Sequence, residues 1–209
     1  MKLAIFGASK GIGHQLLRIA IEDGHEVTAL LRTPNSLKIS HPNLHIIKGD
    51  ILEPTKVANV TNNQDGICVC IGIPPTRKSV NVFSEGIKNI LSSIDIHIKP
   101  KLIVITGIGA GDSEGHGGFL YDRIINPLLL KKIYKDKNQA EDLLKKSYSH
   151  WMIVRPGFLT NGPRTEKYQV IEDLTGITAG KISRSDVADF MLKQLKDPTH
   201  FGRTPLLTY

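Results

Sequence analysis

A run of five residues with strand character, "KLAIF" (2 to 6), leads straight into "GASKGIG", in which Gly7, Gly11 and Gly13 precede an amphipathic stretch. Glycines there remove the side chains that would hold backbone N–H groups away from a bound anion. The first turn of a following helix adds unpaired N–H groups and the positive end of its dipole. Strand, glycine loop and a helix opening near Gly11 therefore predict a dinucleotide phosphate site built from Gly7, Ala8, Ser9, Lys10, Gly11, Ile12 and Gly13. The spacing is GxxxGxG, and a bulky residue at Gly7 or Gly13 would obstruct it. No GK[ST] follows the loop, which argues against nucleoside triphosphate hydrolysis.

The rest of the chain repeats one unit, a short β-branched run followed by a turn and an amphipathic stretch. Strands are expected at 2–6, 26–31, 44–48, 66–71, 101–106 and 151–155, and helices at about 11–23, 79–96, 122–147 and 184–196. Most of the strands are continuous apolar runs, as parallel strands covered on both faces require. The alternation predicts a doubly wound, Rossmann-type α/β fold with a mainly parallel sheet and helices on both faces. One domain is expected over 1–209, with a small C-terminal substrate region. The irregular segments 107–119 and 157–181 fall after strand carboxyl ends, where such folds form their ligand crevice.

Composition narrows the partners. No apolar stretch approaches the ~20 residues that cross a bilayer, and the opening run is shorter than the ~7 to 15 of a signal h-region. The expectation is a cytoplasmic protein with no membrane partner, either a monomer or a weak homodimer. The net charge of +7 comes from scattered Lys and Arg, densest in "LLKKIYKDK" and "EDLLKKS", where they interleave with apolar residues at helical spacing. That pattern describes solvated helix faces rather than a nucleic-acid surface, and a positive field favours phosphorylated ligands. Cys68 and Cys70, two apart on a strand, share one face and read as small buried hydrophobes. The histidines show no metal-ligand spacing, so no metal is expected, and no G-x-S-x-G elbow supports a serine hydrolase.

The second strand bears on the choice of dinucleotide. An acidic residue at its end would bond the ribose 2′-hydroxyl of NAD, but "ALLRTPNSL" places Arg32 there. A guanidinium suits a 2′-phosphate, with Lys10 as a second cation and Ser9, Thr33, Asn35 and Ser36 as further donors. NADP is expected over NAD.

With "LAIFGAS", "GHEVTALLR", "GDILE", "SEGIKNI", "WMIVRPG" and "ISRSDVADFML" in place, the whole chain resembles the atypical short-chain dehydrogenase/reductases of the NAD(P)H-binding (NmrA-like) branch. Within it the chain is most similar to the flavin reductase and biliverdin-IXβ reductase group. The resemblance implies that Asp50 and Ile51 contact the adenine, and that Ile71, Gly72 and Ile73 line the adenosine-ribose side. It also implies that Thr106 and Gly107 lie by the nicotinamide ribose, that Lys137 holds that ribose's hydroxyls, and that Pro156, Gly157 and Phe158 flank the nicotinamide. Thr106 and Lys137 are the catalytic candidates.

The departures from the classical pattern bear on chemistry. The position four before Lys137, where classical members carry a tyrosine acid, is Ile133; Tyr134 is one residue on, about 100° around a helix. A ketone needs an acid as hydride arrives, whereas a flavin, quinone or tetrapyrrole spreads the incoming charge and can take its proton from water. The expected function is NADPH-dependent reduction of such a conjugated acceptor. The alternatives are a non-catalytic NAD(P)H-binding redox sensor and, with only about 50 residues after "RPG" to build a substrate region, a sugar-nucleotide epimerase or dehydratase. Substrate-side candidates are Pro74, Pro75, Arg77, His116, Phe119, Tyr121, Tyr134, Phe158 and Arg164, with 107–118 as a glycine-rich flap.

Overall fold

The computed structural model describes residues 1–95 and 97–209. Its central sheet has eight strands in the order β3-β2-β1-β4-β5-β6-β10-β8. These are β1 Lys2–Phe6, β2 Glu26–Leu31, β3 Leu44–Lys48, β4 Gly66–Val69, β5 Lys101–Ile105, β6 Trp151–Pro156, β8 Gln169–Ile171 and β10 Leu206–Thr208. All neighbours pair in parallel except β8, which runs antiparallel to β10. A separate parallel pair joins β7 Phe158–Thr160 to β9 Lys181–Ser183. Among the described residues five α-helices accompany the strands: α1 Gly11–Glu22, α2 Pro54–Thr61, α3 Val82–Ser93, α4 Lys131–Ser147 and α5 Arg184–Lys196. A π-helical segment, Tyr121–Leu130, runs directly into α4.

Strand pleat divides the apolar side chains between two cores. Leu3, Ile5, Cys68, Ile103 and Met152 face α1 and α5. Their sequence neighbours Ala4, Phe6, Ile67, Leu102 and Ile153 face α2, α3 and α4. Burial on both faces is why these strands carry almost no polar residues. Helix α1 contributes Ile12, Leu16, Leu17, Ala20 and Ile21 to its core, one stripe at helical spacing. Cys68 and Cys70 lie on the same face, and burial pushes the Cys70 thiol up to about 12.

Three differences from the sequence reading have physical causes. The helix expected over 79–96 runs Val82–Ser93, and its expected last residue, Ile96, lies outside the described residues. Its start is fixed from a distance: Asn81 supplies no side-chain cap, and Asp136 on α4 instead accepts the N–H groups of Phe83 and Ser84 at 2.9 and 3.3 Å. The stretch 122–147 is not one α-helix but the π segment followed by α4, with Pro127 inside the first part. Within 157–181 lie β7 and β8, short strands with no long apolar run to signal them.

Candidate functional site

The carboxyl ends of β1, β2, β4, β5 and β6 open into one cavity of about 1170 Å³. At its floor the glycine loop makes a close backbone crossing. Gly7 has φ +88°, and a Cβ there would stand 2.6 Å from the Cys70 carbonyl oxygen. A Cβ on Gly13 would run into the Gly7 carbonyl. Only glycine permits both approaches, so the N-terminus of α1 sits against the ends of β1 and β4. Lys10, at the cap position, offers no side-chain bond to the helix, and no acid lies in the first turn. The first N–H groups of α1 and their dipole therefore face the cavity without an internal counter-charge, as phosphate binding requires.

Most of the expected cofactor residues line this cavity: Gly7, Ser9, Lys10, Gly11, Ile12, Arg32, Thr33, Ser36, Asp50, Ile51, Ile71, Gly72, Ile73, Thr106, Gly107, Lys137, Pro156, Gly157 and Phe158. Ala8 and Gly13 lie beneath the surface and shape the loop instead. Arg32 projects from the end of β2 with 81% of its side chain exposed, 3.9 Å from Asp50. Its guanidinium is thus held at the cavity rim with most of its donors open.

One cation at the loop was not anticipated. Arg184, the first residue of α5, reaches within 4.0 Å of the space a Gly11 Cβ would fill and donates to Asn161 Oδ1 at 2.8 Å. The sequence does hold a signal for it. Ser183 caps α5 by accepting the N–H of Asp186 at 2.9 Å, which puts Arg184 at the positive end of a helix dipole. A cation is unfavourable there unless it meets a negative group.

At the other end, Lys137 and Tyr134 line the cavity together. Lys137 Nζ donates to the Thr106 carbonyl and sits 4.9 Å from the centre of the Tyr134 ring and 5.3 Å from that of Phe83. Burial pulls the Lys137 ammonium down to about 8, against the opposing pull of Glu141. Tyr134, a substrate-side candidate one residue out of the classical tyrosine register, is in the site: residues three apart share a helix face, and Ile133 turns into the core. The Tyr134 and Tyr121 hydroxyls are 2.8 Å apart, and Tyr121 donates on to the Ile108 carbonyl at 3.2 Å. Burial, followed by the neighbouring Tyr121, drives the Tyr134 phenol well above its ordinary value, so it stays protonated. Thr106 lines the cavity, but its hydroxyl donates to Glu141 at 2.7 Å.

The substrate-side candidates divide. Pro74, Pro75, Tyr121, Tyr134 and Phe158 line the cavity, joined by Ile108 and Leu130. His116 does not: its Nδ1 lies 2.8 Å from the Ile177 carbonyl, pinning the glycine-rich loop to a neighbouring turn. Phe119 points to solvent, 81% exposed. Arg164 is drawn away by the buried carboxylate of Asp189, 2.6 Å from its Nη2. Arg77 and Asn35 also lie outside the lining. Among the described residues no group of His, Cys, Asp or Glu could hold a metal ion, and no helix is long and apolar enough to cross a membrane.

The family described as NAD(P)H-binding matches residues 7–198, and the chain belongs to it. The uncharacterized protein YwnB of Bacillus subtilis is 29% identical over 210 residues, covering 96% of this chain and 94% of that one. The fold is shared with ChuY of Escherichia coli O157:H7, described as an anaerobilin reductase, at a TM-score of 0.80 and 22% identity over 100% of this chain and 97% of that one. A candidate NADH-flavin reductase of Streptococcus pneumoniae superposes with a TM-score of 0.78 and 22% identity, over 100% and 99% of the two chains. The chain is thus an NAD(P)H-binding protein with a Rossmann-like α/β fold.

Proposed function

We propose that the protein is an NADPH-dependent reductase of an uncharged conjugated acceptor, a quinone or an unphosphorylated flavin. The observation that carries this reading is the polarity of this cavity. Lys10, Arg32 and Arg184 gather at the glycine loop and the end of β2, while Ile108, Tyr121, Leu130, Tyr134 and Phe158 wall the opposite end. A dinucleotide would be held by the α1 N-terminus and Gly7 along its phosphates, by Arg32 and Lys10 at a 2′-phosphate, and by Lys137 at the nicotinamide ribose. When bound, it supplies a hydride.

The chain's own residues stack and orient the acceptor on aromatic and aliphatic walls, where the gain is proximity and exclusion of water. Among the described residues Lys137 is the one cation lining that end, and Arg164 is sequestered by Asp189. Among the described residues no further cation lines that end to meet the phosphate of FMN or the propionates of a bilin, the exposed Arg123, Lys131 and Lys132 lying outside the lining, which favours neutral acceptors. Because a quinone or flavin delocalises the incoming charge, its proton can come from water rather than from the high-pKa phenol of Tyr134.

The test is NADPH oxidation with benzoquinones, riboflavin, FMN and biliverdin, run beside cofactor titration. Turnover with the neutral acceptors exceeding that with the anionic ones supports the reading. Tight NADPH binding with no turnover on any acceptor assigns the chain to redox sensing instead.

A further inference from the structure

The segment beside the acceptor end carries an unusual surface. Phe119, Leu120, Ile124 and Leu128 are 81%, 61%, 44% and 57% exposed, with Leu129 next to them at 42%. Spacing by four places Leu120, Ile124 and Leu128 along one stripe of the helical segment. Exposed aliphatic residues scattered singly are ordinary, but a run along one element marks an interaction site. Arg123, Lys131, Lys132 and Lys135, all exposed, flank the stripe. The one acid of this stretch near them, Asp122, is half-buried, so the surface is strongly positive. The two ends of the same segment, Tyr121 and Leu130, line the cavity.

We propose that this face docks on an anionic bilayer surface, setting the acceptor end of the cavity at the lipid boundary so that a lipid-soluble acceptor enters from the membrane. An apolar stripe rimmed by lysines is what an interfacial helix presents to acidic headgroups. Lying on a bilayer does not require the spanning helix that is lacking among the described residues. A second copy of the chain fits less well, since an isologous interface would bring Arg123, Lys131 and Lys132 near their own equivalents. A protein partner fits less well too, because Leu, which supplies two of the three stripe residues, is under-represented among protein hot spots. The docking stands on this surface alone; the delivery of an acceptor rests on the reductase reading.

Co-sedimentation of the full chain with vesicles tests the docking. Binding is expected to phosphatidylcholine–phosphatidylglycerol vesicles, to be released by raised salt, and to be weak on phosphatidylcholine alone. Lys131→Gln and Lys132→Gln are each expected to weaken it about fivefold. The triple variant Leu120→Gln/Ile124→Gln/Leu128→Gln is expected to lose it by more than about tenfold, with NADPH titration showing that the fold survives. Absence of binding to the anionic vesicles, or unaltered binding by the triple variant, overturns the proposal. So does a dimer in sedimentation velocity that the same substitutions dissolve, which would assign the stripe to a second copy. Delivery is read by comparing a long-chain quinone in anionic vesicles with a water-soluble quinone. The triple variant should lose turnover of the first and keep that of the second, and equal turnover of both overturns delivery. No oxidation with either quinone or with riboflavin, beside intact vesicle binding, overturns the reductase reading and supports docking alone.

Discussion

Glu141 on α4 receives Nε and Nη2 of Arg155 on β6 at 3.2 and 2.6 Å, with the two side chains 2% and 0% exposed. Glu141 also accepts the Thr106 hydroxyl, and Arg155 pairs outward with Asp112. This buried network ties α4, β5, β6 and the glycine-rich loop together directly beneath Lys137. Removing one partner of such a pair strands a charge away from water. Glu141→Ala is expected to cost about 3–5 kcal/mol in urea denaturation. Thr106→Val, which leaves the backbone carbonyl facing Lys137, is expected to cost about 1 kcal/mol. Its kcat should fall less than tenfold, where a hydroxyl engaged in proton transfer would cost about a hundredfold or more.

Arg32 is solvated at the rim of the cavity, so its removal costs the fold little and reports on the cofactor. A charge-assisted contact to a 2′-phosphate carries about 1.5–3 kcal/mol, roughly tenfold to a hundredfold in affinity. Arg32→Ala is expected to raise KM for NADPH by that factor and to leave KM for NADH within about threefold. Equal effects on both cofactors would remove the basis for assigning Arg32 to the 2′-phosphate.

The parts legible in the sequence are those where one short stretch decides its own structure. The glycine loop was readable because Gly7 and Gly13 answer to sterics that nothing distant can relax, and Arg32 because a strand end fixes its place. The central strands announced themselves by burial on both faces. What was hidden depends on partners far along the chain. Asp136 caps a helix some fifty residues earlier, so no local signal shows it. His116 and Arg164 had suitable chemistry, but Ile177 and Asp189 claim them. Tyr134 and Lys137 sit three apart on α4 and share a face, so the classical count of four back from Lys137 falls on Ile133, in the core, while the aromatic neighbour is Tyr134.

Tyr134 tests that last point. It stands beside Lys137 as an acid would, yet its phenol is raised by burial, and Tyr121 lies within hydrogen-bond distance. A wall residue of this kind contributes stacking area, which phenylalanine retains. Tyr134→Phe is expected to keep kcat with a quinone or flavin within about tenfold, while loss of an essential general acid would cost ~100-fold or more. Tyr134→Ala, which removes the wall, should raise KM for the acceptor more than for NADPH.

The pH dependence of cofactor binding follows from Lys137. Its ammonium is depressed from the ordinary lysine value of 10.5 to about 8, so the free protein carries this charge below about 8 and loses it above. If the charged form holds the nicotinamide ribose, affinity for NADPH is full near pH 7 and declines as pH rises through 8. It should level off once Lys137 is neutral. Stability moves the other way: between about 8 and 10.5 the unfolded chain binds the proton that the folded one has released, so this residue's contribution improves as pH rises. Titration of NADPH binding from pH 7 to the alkaline limit of the fold checks the first trend, and urea denaturation over the same range checks the second. Lys137→Met should bind NADPH more weakly at pH 7 and abolish the decline near pH 8. A decline that persists in Lys137→Met would transfer the effect to another group and leave Lys137 without a role in holding the cofactor.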